Sequence, residues 1–239
     1  MPHEQMTEPQ VAAYLHLEPR ELQKLASRGK IPARKTAKGY VFRKSDVDHW
    51  VEAQMHDLPR ERLAGIERGV SRHHGFDFEA MLVSPLIPEG GLDVPLKART
   101  RDATIRELVK MAEQAGLVYA RDELIDGIRS REDLCSTALA PRVALPHPRH
   151  PLPYDIAASF VVVGLTPTGI PFGAADGSLT QLFFLICCKD DRTHLHVLSR
   201  LGQMLHDPAA IEQLLTARDR DELREMLRKL EQYVLEHPL

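Results

Sequence analysis

The stretch "RVALPHPRHP", residues 142–151, sets a histidine between two prolines directly after a short apolar run. Each proline fixes its own backbone angle, and Pro148 also restricts the residue before it, so His147 occupies a stiff, extended corner. An imidazole has an unperturbed pKa of about 6.5, which leaves its neutral, nucleophilic form populated near neutrality. Three readings of this position are open: a turn residue, a nucleophile or a metal ligand. His150, His194 and His196 supply further imidazoles, and together the four have the residue types of a zinc site. Their spacing contains no helical i, i+4 histidine pair and no carboxylate in register, so no metal is expected. On a helix His196 points away from the side that carries His194. The adjacent His73 and His74 are assigned no role.

The surrounding text alternates strand and helix signals. "GGLDVPL" reads as a short strand, and Thr100 caps a helix that places Ile105, Leu108, Val109 and Ala112 on one face before Gly116 ends it. A second helix is predicted from Arg121 to Ser130. "RVAL", "SFVVVGL" and "LTQLFFLICC" are buried strands, with a hairpin turn at Asp176-Gly177. Helices follow at His194 to Leu205, Pro208 to Leu215 and Asp221 to Val234. The pattern predicts an α/β domain, a mixed sheet sandwiched by helices.

Of the 239 residues, 43% are hydrophobic and 27% charged, enough to bury a core. The runs "IAASFVVVGL" and "LFFLICC" fall short of the ~18 residues that signal a membrane span. "MPHEQMTEPQ" lacks the basic start and apolar stretch of a leader, so a cytoplasmic chain without membrane insertion is expected. Cys135, Cys187 and Cys188 have no metal-type spacing and read as reduced core residues. The net charge of -3 is unevenly spread: from Arg20 to Lys44 there are nine basic residues against one acid, Glu21. That asymmetry predicts two units with different partners.

The basic segment lies in "MTEPQVAAYLHLEPRELQKLASRGKIPARKTAKGYVFRKSDVDHWV". Thr7 caps a first helix with Val11, Tyr14 and Leu15 inward, and Pro19 starts a second with Leu22 and Leu25 inward. Gly29 ends it, "KGYVF" turns into a strand, and a third helix from Ser45 packs Val47, Trp50 and Val51. Two short helices, a basic hairpin and a closing helix make a winged helix-turn-helix. The segment resembles the excisionase-like DNA-binding family, through the first helix, "GKIPA" and the wing ending "RKSDVDHW". That resemblance implies that Arg20, Gln23, Lys24 and Arg28 face DNA, with Lys35, Lys38 and Arg43 on phosphates. A solvated basic face or a protein-docking unit of the same fold is the alternative.

The second half carries its own resemblance. "REDLCST", "VALPH", "PFGAADG", "LFFLICC" and "THLHVLSRLGQML", over residues 84 to 232, resemble enzyme IIA of the fructose/mannitol class of the bacterial phosphoenolpyruvate-dependent phosphotransferase system, including its nitrogen-regulatory branch. The resemblance implies that His147 is phosphorylated, that Arg131 is the cation beside the phosphoryl group, and that His194 is the second active-site imidazole. Ser136 and Thr137 would support the phosphate site. It implies no cofactor, an HPr-like phosphohistidine protein as donor, and a IIB protein or a regulated kinase or regulator as a further partner. The expected division is 1–53 for the winged helix, 54–83 for a partly ordered linker with one helix around Arg60 to Arg68, and 84–239 for the IIA domain.

This chain departs from the family in two places. Glycines are usual where it has Cys135 to Arg142, and Gly or Ala is usual where it has Pro148. Proline removes an N–H donor, and glycine would let backbone approach a phosphate closely. The expected function is a regulatory histidine phosphocarrier with a DNA-binding unit. Two alternatives are a DNA-binding regulator whose IIA-like domain only senses or docks a partner, and a sugar-uptake phosphocarrier.

Overall fold

The computed structural model of the chain describes residues 5–37, 39–54, 58–75, 81–139 and 142–238. Strand β1 (Gln5–Thr7) leads into helix α1 (Glu8–Tyr14) at Thr7. The Thr7 N–H and hydroxyl both donate to Gln10 Oε1, at 2.8 and 2.9 Å, which fixes the helix start. Pro19 opens α2 (Pro19–Ser27), which buries Leu22 and Ala26, and the chain turns at Gly29 with φ +65°. Strands β2 (Arg34–Thr36) and β3 (Gly39–Arg43) pair antiparallel, and β1 joins the other edge of β3. β1 escapes the sequence pattern because its alternation, with only Met6 buried, spans just three residues. Helix α3 (Lys44–Gln54) closes this winged helix-turn-helix with Val47 and Val51, and Trp50 Nε1 donates to the Lys30 carbonyl at 2.6 Å.

The second unit is built on a five-stranded mixed sheet. Its strands are β4 (Leu92–Asp93), β5 (Ala138–Leu139), β6 (Val143–Ala144), β7 (Phe160–Ile170) and β8 (Thr180–Cys187), in the order β4-β7-β8-β6-β5. β4 runs parallel to β7 and β6 parallel to β8, while β7 and β8 are antiparallel. Alternate residues of the central pair feed two cores, as a period of two requires. Phe160, Val162, Phe183, Leu185 and Cys187 face α5 (Arg101–Gln114) and α6 (Arg121–Leu134). Val161, Val163, Leu182, Phe184 and Ile186 face α7 (Asp191–Met204), α8 (Pro208–Leu214) and α9 (Arg220–Glu236). With both faces covered, these strands are apolar runs. α6 continues past the expected end at Ser130, so Arg131 lies in its last turn.

Cys187 and Cys188 are buried and free, but Cys135 is exposed, which corrects the core reading for that residue. It follows the last turn of α6 in extended backbone, before the chain enters β5.

Residues 60–74 form helix α4 (Arg60–His74), longer than the helix the sequence suggested there. α4 is wedged between the two units. A Cβ at Gly69 would stand 2.3 Å from the Tyr14 carbonyl of α1, and one at Gly202 of α7 would stand 3.0 Å from Leu63 of α4. Buried charge reinforces the seam. Arg200 of α7 donates through Nε to Glu67 Oε1 of α4 at 2.9 Å, and its Nη1 lies 3.5 Å from Glu231 of α9. Gln203 donates to Glu67 Oε2 at 2.8 Å. Glu231 accepts the backbone N–H groups of Val83 at 2.5 Å and Ser84 at 2.9 Å, tying the segment after α4 to the same cluster. A buried pair so fully hydrogen-bonded is costly to break from one side.

Candidate phosphoryl-acceptor site

Parallel pairing brings the carboxyl ends of β6 and β8 to one edge of the sheet, where open α/β sheets carry their ligand sites. After β6 the Pro146 carbonyl accepts the Ile186 N–H at 3.0 Å, so the strand register persists up to His147. After β8 the Asp190 carboxylate caps α7 by accepting the Thr193 N–H at 2.8 Å, which sets His194 in the first turn. The two rings meet with centroids 5.0 Å apart and planes inclined by 59°. His147 is 3% exposed and His194 6%. His147 Nδ1 lies 2.7 Å from the Leu145 carbonyl. A carbonyl accepts only, so Nδ1 carries the proton and Nε2 carries the lone pair.

Pro148 packs toward α6, where a Cβ on Gly127 would lie 3.8 Å from it. The segment after α6 is pinned to the strand that bears His147: Leu145 N–H donates to the Thr137 carbonyl at 3.2 Å. Ser136 Oγ donates to the Phe172 carbonyl at 2.9 Å, and Thr137 donates through its N–H and hydroxyl to Glu132. Burial pushes the Glu132 carboxyl up. Both hydroxyl protons of the expected phosphate support are therefore directed at protein groups. Arg131 Nη1 donates to the Cys135 carbonyl at 2.7 Å, closing the end of its own helix. Structure thus brings His147 and His194 together and places Arg131, Ser136 and Thr137 on the neighbouring segment.

Arg142 stands where the resembling family has glycine, and it adopts a left-handed φ of +68°. A bulky residue there is strained unless held. Its guanidinium is held by Gln181 Oε1 and by Glu212 at 3.0 Å, while its carbonyl accepts the N–H groups of Gln181 and Leu182. Ala140, a neighbouring departure, lies outside the described residues. Among the described residues no three His, Cys, Asp or Glu side chains converge to hold a metal ion.

On the helix-turn-helix unit Arg20, Gln23, Lys24 and Arg28 are all exposed on or just beyond α2, and Gln23 Nε2 donates to Glu8 at 2.8 Å. Lys35 on β2 and Arg43 at the end of β3 are exposed too, and Lys38 lies outside the described residues. Lys44 leaves the basic surface: it is buried, 2.6 Å from Asp48, whose Oδ1 accepts the Tyr14 hydroxyl at 3.0 Å. Burial pushes the Asp48 carboxyl up to about 6. Sequence reading missed Asp190, although an Asp three residues before a Thr at a helix start is a recognisable cap. Glu132 sent no such signal, because its partner Thr137 lies beyond the helix end.

A helix-turn-helix unit joined to a mixed α/β unit, with one histidine after a strand meeting a second in the first turn of the helix that follows the adjoining parallel strand, defines a protein of enzyme IIA type with an N-terminal helix-turn-helix. Residues 86–230 match the family model described as "Phosphoenolpyruvate-dependent sugar phosphotransferase system, EIIA 2", and residues 6–55 match "Helix-turn-helix domain". The chain belongs to the EIIA 2 family.

It is 26% identical over 149 residues to the fructose-specific EIIABC component of Bacillus subtilis, a match covering 62% of this chain and 23% of that one. It is 30% identical over 130 residues to a probable licABCH operon regulator of Bacillus subtilis, covering 54% of this chain and 19% of that one. The chain therefore spans less than a quarter of the length of either relative. Among solved structures, IIA mannitol from Escherichia coli superposes with a TM-score of 0.51 at 26% identity, covering 58% of this chain and 96% of that one. No described helix is long and apolar enough to cross a membrane.

Proposed function

We propose that this chain is a regulatory phosphocarrier, in which His147 accepts a phosphoryl group from a phosphohistidine protein of HPr or nitrogen-branch type and the winged helix engages DNA. The observation that carries the reading is the His147 ring, with Nδ1 tied to the Leu145 carbonyl and the His194 ring beside it. The Nε2 lone pair attacks the donor's phosphorus. A P–N bond forms at Nε2 as the donor's P–N bond breaks, and the donor imidazole leaves with that electron pair. The Nδ1 proton stays in place, and the Leu145 carbonyl stabilises the positive charge the ring gains. His194 supplies a hydrogen-bonding group at the head of α7, and Arg131 supplies positive charge, which phosphoryl transfer needs more than covalent help. Ser136 and Thr137 act by holding the 136–139 segment against the acceptor strand.

The exposed Arg20, Gln23, Lys24 and Arg28 support major-groove reading by α2, with Lys35, Lys38 and Arg43 neutralising phosphates. The likeness to a relative named as a probable operon regulator supports a regulatory role over sugar uptake, with a IIB protein or a regulated kinase as downstream partner. Residues 1–53 and 84–239 are the two working units, and 54–83 join them. The excisionase-like assignment of the first unit belongs to this proposal. A second reading, a IIA fold that only senses or docks, is favoured by Pro148, which removes an N–H donor next to the acceptor. Incubation with phosphoenolpyruvate, enzyme I and HPr separates them by intact mass: the phosphocarrier gains one phosphoryl group, about 80 Da, and the docking domain gains nothing.

A further inference from the structure

The third helix of the DNA-binding unit reaches the loop that carries His147. His49 of α3 sets its Nε2 3.2 Å from the Arg149 carbonyl, and its ring meets the His150 ring edge-on, with centroids 5.1 Å apart. Its Nδ1 lies 2.6 Å from the Ser45 carbonyl of its own helix, so the ring is held in one orientation. α3 also packs against α7, and the adjacent Asp48 is near enough to Asp191, the first residue of α7, for that charge to disfavour its ionisation. Asp191 stands three residues before His194. α3 therefore meets both the loop two residues after His147 and the helix that carries His194, and both histidines are almost inaccessible.

We infer that α3 is a built-in lid on the phosphoryl acceptor: its contact with residues 149–150 occupies the surface a donor protein must reach, so docking of α3 and of the donor exclude each other. The inference rests on the phosphocarrier reading and names how that site is regulated. A donor must bring its phosphorus to within bonding distance of His147 Nε2, and the ring is 3% exposed with α3 seated against the loop two residues further on. The lid contact is the part of the joint that gives. Toward the 149–150 loop it consists of one ring pair and one carbonyl contact at an exposed edge, beside the α3–α7 packing, whereas α4 is held by apolar packing and the buried Glu67–Arg200–Glu231 cluster. Once attached, a phosphoryl group adds about -1.5 to -2 charge and the bulk of a tetrahedral group at His147, two residues before the α3 contact, which opposes re-docking.

The lid itself is tested without a phosphoryl donor. Diethyl pyrocarbonate acylates accessible neutral imidazoles, and peptide mass mapping gives a rate for each histidine of the full chain. In His49→Ala and in His150→Ala, His147 should be modified about tenfold faster than in the wild type, an unmasking of about 1.4 kcal/mol. Exposed His206 reports reagent activity and buried His196 reports unfolding, so both should keep their wild-type rates. His150 lies on an exposed loop, which keeps its variant informative if His49→Ala misfolds. Unchanged His147 rates in a folded variant overturn the lid. Faster acylation with no phosphoryl uptake from phospho-HPr in any variant keeps the lid and removes the phosphocarrier reading.

Discussion

Helix α7 carries two buried histidines two residues apart, and they meet different surroundings. His194, in its first turn, faces another imidazole at the end of a neighbouring strand. His196, about 200° further round the helix, enters the seam under α4, where Nε2 donates to the Met81 carbonyl at 2.7 Å and Nδ1 lies 3.1 Å from Glu67. Burial, helped by the Arg200 guanidinium, pushes the His196 imidazole down to about 4. One face of α7 thus presents an imidazole beside the proposed acceptor His147, and the other uses its imidazole as a structural strut. Burial is common to both; the neighbours decide what each ring can do.

Mutation should separate the two faces most sharply at the site itself. His147→Gln should abolish phosphoryl uptake, while His196→Gln should keep it, as measured by intact mass after incubation with phospho-HPr. His194→Ala should slow uptake about 10²-fold or more, the usual scale for a positioned imidazole, with an unchanged denaturation midpoint. On the strut side, Glu67→Ala takes from the buried Arg200 its 2.9 Å carboxylate partner and should cost about 3–5 kcal/mol in chemical denaturation. Retention of wild-type stability would show that the seam does not hold the units together.

The pH dependence of stability sharpens the contrast further. His196 binds its proton near pH 4 when folded and from about 6.5 downward when unfolded. Stability from this group is therefore fully present above pH 6.5 and falls as pH drops toward 4, by roughly 3 kcal/mol at most. His196→Gln should flatten that slope, and an identical slope would place the acid sensitivity elsewhere. The smallest effect belongs to the wing: Lys35→Ala should lower the salt dependence of DNA binding by about one phosphate contact, uniformly across sequences.

The mixed sheet, its flanking helices and the winged helix were legible because long apolar strands, periodic helices and cap residues are local signals. As candidates, His147 stood out because two prolines make it conspicuous, and Arg131 and His194 entered only through the family resemblance; the His147–His194 ring contact is what the structure adds. The seam was not legible. α4 has charged residues between its apolar ones, and Glu67 finds Arg200 and Gln203 across more than a hundred residues. Lys44 read as basic surface for the same reason, since its partner Asp48 sits one turn on and the burial comes from α1 and α7. The left-handed Arg142 was visible as a departure from glycine, but the Gln181 and Glu212 contacts that hold it are tertiary.

The account stands or falls on which nitrogen of His147 takes the phosphoryl group. Nitrogen-15 NMR of the histidine-labelled chain after phosphorylation by phospho-HPr reads this directly through phosphorus–nitrogen coupling. The structure predicts coupling at Nε2 of His147, with Nδ1 still protonated against the Leu145 carbonyl. Coupling at Nδ1, at another histidine, or at none would contradict it.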